Sequence, residues 1–231
     1  MFTSLSGIVV WGDSIGKGIV WSEEHARYRL SPRGCVRRLE GLAGCPVKNL
    51  SVMGCTADEC LKRFDPSQTV PGGVGVIELG GNDCNMPWEA ISRDPEGEYL
   101  PCVPLERYTA AMRRLIFLLR RGGMVPAVAV PVPVVGHLYL SFLSRFYDGK
   151  GILRYLGDAE QISRWQERWA SAARTVALEE NATLIDLRDA MLRNRRFETL
   201  YCRDGIHLND EGQEYLLKYI LDYYGEVRTA S

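Results

Sequence analysis

The chain has 231 residues, of which 46 % are hydrophobic and 25 % are charged, and its formal net charge at pH 7 is -1. These values are typical of a globular protein and exclude a disordered chain, which combines low hydrophobicity with high net charge. The absence of a basic excess argues against a nucleic-acid-binding protein.

Five short stretches predict strands, in chain order at residues 8–11, 47–50, 74–79, 125–130 and 183–187. The second stretch, Val-Lys-Asn-Leu, is a weaker candidate than the apolar runs. The first run ends at Gly12, the third ends at glycines, and the fourth is stopped by Pro131 and Pro133. Short continuous apolar runs with such boundaries are typical of parallel strands that are buried on both faces.

Apolar residues at helical spacing lie between these strands. They predict helices over residues 105–121 and 158–180, and a last helix that starts at Asn209 or Asp210, either of which is a competent N-cap. The alternation of strands and helices predicts an α/β protein, a three-layer α/β/α domain of flavodoxin type. We expect a five-stranded parallel sheet with the strand order 2-1-3-4-5.

Two long stretches, residues 84–104 and 131–157, fit no regular element. Both follow the carboxyl end of a predicted strand, where open α/β sheets bind ligands. The first contains Trp88, and the second is rich in aromatic residues such as Tyr139. We interpret Trp88 and Tyr139 as candidate substrate-binding residues in an apolar wall or lid. The alternative is that these aromatic residues pack on the core or against another subunit, as in a homodimer.

The overall organisation indicates one domain over residues 1–231, because no linker, repeat or low-complexity tract divides the chain. The seven cysteines have neither the number nor the spacing of a disulfide framework or a zinc site, so we expect reduced thiols. Residues 1–7 lack the basic flank and long apolar run of a signal peptide. The apolar stretch 125–135 contains three prolines and is too short to span a bilayer. These features predict a cytoplasmic protein without a membrane span.

The turn after the first strand, Gly12–Gly18, presents Ser14 at the carboxyl edge of the predicted sheet. A phosphate-binding P-loop needs four residues between its first glycine and Gly-Lys, followed by Ser or Thr. Here three residues separate Gly12 from Gly16, and Gly18 follows Lys17. The dinucleotide-binding fingerprint fails on glycine spacing as well. The turn is therefore either a plain strand-to-helix connection or a nucleophile site.

A second motif, Asp204-Gly205-Ile206-His207, stands just before the last helix. A histidine whose other ring nitrogen is held by a carboxylate can take the proton from a serine hydroxyl. The motif alone also fits a loop histidine that helps to start a helix. Since His25 and His137 have no aspartate at comparable spacing, His207 is the candidate base.

Two further turns could supply hydrogen-bond donors. The segment Leu79–Asp83 ends the third strand and carries Asn82, whose amide is a suitable donor to a developing oxyanion. The segment Asn49–Gly54 follows the second strand, and the backbone N–H of Gly54 could be another donor. Each segment alone also fits an ordinary turn.

Together these four segments resemble the sequence blocks of the SGNH, or GDSL-type, esterases and lipases. Gly12-Asp13-Ser14 is similar to the first block, with Ile15 where leucine is usual. The other blocks are similar to Asn49–Gly54, Gly80-x-Asn82-Asp83 and Asp204-x-x-His207, in the order of the family. The resemblance implies a flavodoxin-like hydrolase with Ser14 as nucleophile, His207 as base and Asp204 as orienting acid. It also implies an oxyanion hole made by the N–H groups of Ser14 and Gly54 and the Asn82 amide.

The resemblance implies hydrolysis of a small carboxylic ester, such as an O-acetylated sugar or a short-chain acyl ester, through an acyl-enzyme. This chemistry requires neither a metal nor an organic cofactor. An acyltransferase, in which an alcohol replaces water, and a non-catalytic binding module on the same fold are the alternatives. The presence of all the catalytic residue types counts against the module. We interpret Asp13 as a structural residue that hydrogen-bonds the local backbone.

Overall fold

A five-stranded parallel sheet forms the centre of the computed structural model, which describes residues 5–229, with side chains as far as Tyr223. The strands of the described chain are β1 (Ile8–Gly12), β2 (Ile19–Ser22), β3 (Arg27–Leu30), β4 (Val47–Asn49), β5 (Val74–Glu78), β6 (Val125–Ala129) and β7 (Thr183–Ile185). The sheet has the order β4-β1-β5-β6-β7. This confirms the predicted order, because β4 is the second predicted strand. The expected domain limits at residues 1 and 231, and most of the segment considered for a signal peptide, lie outside the described residues.

Helices cover both faces of the sheet. They are α1 (Ser14–Lys17), α2 (Cys35–Leu39), α3 (Ala57–Arg63), α4 (Trp88–Arg93), α5 (Leu105–Arg121), α6 (Gly136–Leu143), α7 (Gly149–Leu156), α8 (Gln161–Glu179), α9 (Leu187–Arg193) and α10 (Asp210–Thr229), with short 3₁₀ turns at Pro66–Gln68 and Phe197–Leu200. The predicted helix over 105–121 is confirmed as α5. The last helix starts at Asp210, and the Asn209 side chain caps it by accepting the Gly212 N–H at 2.9 Å.

Strand β1 shows why the architecture has three layers. Successive side chains of a strand point to opposite faces, and all five residues of β1 are buried. Val9 and Trp11 belong to the core under α3, α5 and α8, whereas Ile8 and Val10 belong to the core under α2, α9 and α10. A strand that is apolar on both faces needs cover on both sides, and this explains why β1 lies in the interior of the sheet.

The expectation that residues 84–104 and 131–157 contain no regular element is wrong. Helix α4 lies in the first stretch, and α6 and α7 lie in the second. They pack together around a separate apolar cluster that includes Trp88, Ile91 and Ile152. Helices of six or eight residues are shorter than the window of about 11–18 residues in which helical periodicity is recognisable. The prolines and glycines around them hide the pattern further.

An antiparallel hairpin of β2 and β3 stands outside the central sheet and was not predicted. Strand β3 reads Arg-Tyr-Arg-Leu and is largely exposed, so it carries little apolar signal. The register pairs Trp21 with Tyr28, and the two rings pack edge to face at 4.9 Å. Among residues 5–229, no helix is both long enough and apolar enough to cross a membrane.

Candidate active site

Ser14 lies at the carboxyl end of the interior strand β1, at the point where β1 turns into α1. The Asp13 side chain caps this short helix by accepting the Ile15 N–H at 2.8 Å. This is the local backbone hydrogen bond expected of Asp13. Ser14 is the first residue of the helix, so its own N–H has no partner within the helix. The turn therefore holds both the hydroxyl and the N–H of Ser14 at the edge of the sheet.

His207 and Asp204 complete a continuous chain of hydrogen bonds with Ser14. His207 Nε2 lies 2.9 Å from Ser14 Oγ, and His207 Nδ1 lies 2.7 Å from Asp204 Oδ2. The turn itself fixes the carboxylate, because Asp204 Oδ1 accepts the N–H groups of Ile206 at 3.1 Å and His207 at 2.9 Å. Gly205 adopts a φ of 69°, and a Cβ there would lie 2.7 Å from the Tyr139 nitrogen. The turn thus requires glycine both for its conformation and for space.

The electrostatics of this turn favour an ionised aspartate. Burial by itself would raise the pKa of Asp204, but the hydrogen bonds from the His207 ring and from the two N–H groups outweigh burial. The net result is a pKa below the usual range of an aspartate. Asp204 can therefore hold Nδ1–H of a neutral imidazole and leave Nε2 free to accept the Ser14 proton.

Tyr28 is a residue of this site that sequence reasoning missed. The hairpin places its ring against His207, with centroids 4.7 Å apart and the planes tilted by 53°. The backbone N–H of Trp21 anchors the hairpin by donating to Cys202 Sγ at 3.3 Å. Burial and the neighbouring Asp204 carboxylate raise the pKa of Tyr28 above its usual value, so the phenol stays neutral. Only the hairpin register brings Tyr28 here, and no local sequence pattern indicates it.

The proposed oxyanion donors lie beside Ser14. Gly54 lines the same cavity and adopts a φ of 78° in the turn after β4. Within the described part of the chain, its N–H donates no hydrogen bond to another group. Asn82 Nδ2 lies 3.1 Å from Asp13 Oδ2 and 3.2 Å from the Cys55 carbonyl oxygen. The Asn82 amide therefore bridges the Ser14 turn and the Gly54 turn, and both of its hydrogens already have acceptors.

A cavity of about 240 Å³ opens beside Ser14 and His207. Trp88 and Tyr139, the candidate substrate-binding residues, both line it, and their rings pack edge to face at 6.1 Å. Asn85 was missed by sequence reasoning although it lies only three residues after Asn82. Its Oδ1 accepts from Trp88 Nε1 at 2.8 Å and from the Tyr139 hydroxyl at 3.1 Å, so it joins the two aromatic residues.

Helix α8 provides a further wall of the cavity that was not expected from the sequence. Trp165 lines it and donates from Nε1 to the Cys84 carbonyl oxygen at 2.9 Å. Gln166 also lines it and is buried. Its side-chain amide hydrogen-bonds two backbone groups of the segment after β6: Oε1 accepts the Val134 N–H at 3.0 Å, and Nε2 donates to the Val132 carbonyl oxygen at 2.9 Å. The helical spacing within residues 158–180 predicted this helix but not the contact of Trp165 with the cavity.

Besides Asp204, three further carboxyl groups near the site are buried, at Asp13, Glu78 and Asp83. Asp83 is fully buried, and its Oδ1 accepts the Ala57 N–H at 2.9 Å. Burial raises the pKa of Asp83 to about 7. Between residues 5 and 229, no lysine or arginine side chain forms an ion pair with any of these three groups.

Comparison with protein families agrees with this architecture. Residues 10–215 match the GDSL-like lipase/acylhydrolase family. Because the match covers most of the chain, the protein belongs to this family and is by class a carboxylic ester hydrolase. Comparison with curated proteins gives no match.

Solved structures of the same fold include several esterases. The chain is similar to a lipase/acylhydrolase from Enterococcus faecalis, with a TM-score of 0.66, 20 % identity and 95 % of each chain covered. The esterase EstA from Pseudoalteromonas sp. has a TM-score of 0.63 at 17 % identity, covering 97 % of this chain and 99 % of that one. Axe2, an acetylxylan esterase from Geobacillus stearothermophilus, has a TM-score of 0.63 at 18 % identity, covering 94 % and 93 %. At these identities the similarity establishes the shared fold.

Proposed function

We propose that the protein is a serine esterase that hydrolyses small carboxylic esters, with O-acetyl or short-chain acyl groups, through an acyl-enzyme. The observation that carries this proposal is the unbroken hydrogen-bonded chain from Ser14 Oγ through both nitrogens of His207 to Asp204. A serine hydroxyl is a weak nucleophile until an adjacent base removes its proton. The 2.9 Å contact between Oγ and Nε2 lies within the reach that this transfer needs.

The chemistry follows from this geometry. His207 Nε2 takes the Ser14 proton while Oγ attacks the ester carbonyl carbon, and Asp204 stabilises the resulting imidazolium. The tetrahedral oxyanion accepts hydrogen bonds from the N–H groups of Ser14 and Gly54 and from the Asn82 amide. The imidazolium then gives its proton to the leaving alcohol. A water molecule, activated by His207 in the same way, releases the acid from the acyl-enzyme.

The size of the cavity supports a small substrate. Its volume of about 240 Å³ lies below the roughly 300–1,000 Å³ of pockets that hold drug-sized ligands. Trp88, Tyr139 and Trp165 give it apolar walls, which suit an uncharged acyl or alcohol group. The similarity in fold to an acetylxylan esterase is in keeping with an acetyl group.

The test is replacement of Ser14 by alanine, with Ser51→Ala as the matched control. Ser51 is also buried near the carboxyl end of a strand, the edge strand β4, but its hydroxyl has no hydrogen-bond partner among the described residues. We expect Ser14→Ala to abolish hydrolysis of p-nitrophenyl acetate and Ser51→Ala to retain it. An alkyl fluorophosphonate should label Ser14 in the wild type and in the control. Labelling at another residue, or full turnover by Ser14→Ala, would refute the assignment.

Two further measurements define the substrate. A series of p-nitrophenyl esters of increasing chain length should show the highest kcat/KM for acetate or butyrate, because the cavity is small. Product analysis in the presence of an acceptor alcohol separates hydrolysis from acyl transfer. A preference for long acyl chains would contradict the short-chain part of the proposal.

A further inference from the structure

A carboxyl group that the proposed reaction does not use lies directly under the nucleophile. Glu78 is the last residue of β5 and pairs with Gly12 at the end of β1. Its side chain is 4 % exposed and turns beneath α1. Glu78 Oε2 accepts the Asp13 N–H at 3.2 Å and the Gly16 N–H at 3.1 Å, so one oxygen holds the backbone on both sides of Ser14.

The two glycines of the Ser14 turn leave the space that this carboxyl group occupies. A Cβ on Gly12 would lie 2.8 Å from Glu78 Oε2, and one on Gly16 would lie 3.1 Å from it. Neither glycine has a positive φ, so backbone conformation does not explain them. The glycine spacing that fails the P-loop pattern is therefore explained by the close approach of two side chains, Glu78 and Ser51, to the turn.

A second carboxyl group shares this buried site. The two groups are neighbours, because Glu78 Oε2 accepts the Asp13 N–H at 3.2 Å, and each carboxyl group affects the pKa of the other. Two adjacent carboxyl groups in a buried site without a cation do not both ionise, because desolvation and repulsion both oppose the second charge. Burial accordingly raises the pKa of both groups. One of the two therefore keeps a proton at neutral pH.

The hydrogen bonds indicate which group keeps it. Both Asp13 oxygens accept hydrogen bonds, from the Ile15 N–H at 2.8 Å and from Asn82 Nδ2 at 3.1 Å. Glu78 accepts both of its N–H groups on Oε2, and no donor in the described chain reaches Oε1. Donors at both oxygens favour the ionised form, so Asp13 is the carboxylate and Glu78 is the acid. Other titratable groups that face the pair are His207, Asp83, Tyr108, Cys35, Cys55 and Cys84.

We propose that Glu78 is a positioning residue of the esterase site that acts as a neutral carboxylic acid. It accepts the N–H groups on both sides of Ser14 and donates its own proton to Asp13, whose carboxylate in turn holds the Asn82 amide. One buried acid thus orients both the nucleophile and an oxyanion donor. The catalytic part of this inference rests on the proposed function, whereas the protonation state of Glu78 does not.

The protonation state is measured by NMR on the full chain with glutamate labelled with ¹³C at the side-chain carboxyl. Only glutamates are then observed, so Asp13 and Asp83 do not interfere. At pH 7 we expect a carboxyl resonance at the chemical shift of the acid form that is absent from Glu78→Gln. If every glutamate resonance has the shift of the ionised form, the proposal is overturned, whatever the enzyme activity.

Kinetics test the positioning role. Glutamine has an oxygen that can accept the two N–H groups and an amide that can donate to Asp13, so Glu78→Gln should retain most of kcat. Glu78→Leu has neither, and kcat should fall by about a hundredfold with little change in KM, as expected when a reacting group is displaced by about 1 Å. Ser51→Ala is the control, because its Oγ lies next to the same glycines and would be 2.7 Å from a Cβ on Gly16.

The outcomes separate the two proposals. If Glu78→Gln loses as much kcat as Glu78→Leu, a neutral side chain that accepts the two N–H groups and donates to Asp13 is not sufficient for activity, and the inference is wrong. Wild-type kcat in Glu78→Leu would also overturn it. If Glu78→Leu does not fold, the glutamine variant and the NMR measurement still decide. Full activity in Ser14→Ala would instead overturn the esterase proposal while leaving the NMR result on Glu78 intact.

Discussion

Replacement of Asn82 by alanine tests the oxyanion hole directly. The Asn82 amide lines the cavity between the Ser14 turn and the Gly54 turn. A donor aimed at charge that exists only in the transition state stabilises that state and not the bound ester. We therefore expect Asn82→Ala to lower kcat with little effect on KM.

The structure sets the size of this effect. Loss of one oxyanion donor costs about a hundredfold to a thousandfold in kcat, or about 2.7–4 kcal/mol. In the free enzyme both hydrogens of Asn82 Nδ2 already meet acceptors, at 3.1 Å on Asp13 and 3.2 Å on the Cys55 carbonyl. These distances are at the long end of the normal range, so an oxyanion can share a hydrogen with either acceptor. Because that sharing reduces the stabilisation that the amide gives to the transition state, we expect a loss of kcat at the lower end of this range, about a hundredfold.

The assay is steady-state kinetics on p-nitrophenyl acetate, with Asn85→Ala as the matched control. Asn85 is an asparagine of the same loop and lines the same cavity, but its oxygen holds Trp88 and Tyr139. We expect Asn85→Ala to raise KM more than it lowers kcat, since it loosens a wall that contacts bound ester. An unchanged kcat with a raised KM in Asn82→Ala would refute the reasoning and assign Asn82 to substrate binding.

Two further predictions concern stability and the hairpin. In the folded protein Asp83 takes up a proton as the pH falls through about 7, whereas in the unfolded chain it does so only near 3.8. Proton binding therefore favours the folded state, and thermal stability should rise as the pH is lowered from 8 to 5.5. Asp83→Asn keeps the acceptor for the Ala57 N–H and should make this rise smaller in thermal melts, while Asp13 and Glu78, whose pKa values are also raised, still contribute to it. A slope equal to that of the wild type would contradict the effect. Tyr28→Leu should lower kcat by about tenfold, because a ring that restricts His207 is lost. Tyr28→Phe keeps the ring and is the control, and wild-type kcat in the leucine variant would show that the hairpin does not orient the histidine.

Local patterns of the sequence determined much of the fold. Four of the five parallel strands were predictable because each is a short, largely apolar run, and this signature needs no knowledge of distant contacts. The edge strand β4, Val-Lys-Asn, carries a weaker signal. Helix α5 was predictable to the residue because its 17 residues span several turns with one apolar stripe. Helices α4, α6 and α7 were not, since six to eight residues contain too little periodicity to be distinguished from a loop.

The blocks around Ser14, Gly54, Asn82 and His207 were also evident in the sequence, and so were the aromatic residues Trp88 and Tyr139. That these blocks form one site was implied by the family resemblance and not by any local pattern, because Ser14 and His207 are 193 positions apart and the parallel sheet brings their turns to one edge. Glu78 gave one local signal, an ionisable residue in the otherwise apolar run 74–79, but its role depends on the register that sets it beside Gly12. Tyr28 gave none, since its contact with His207 follows from the pairing of the hairpin. Strand positions are decided by short-range periodicity, whereas contacts between side chains of different elements are decided by register and crossover, which only the tertiary structure specifies.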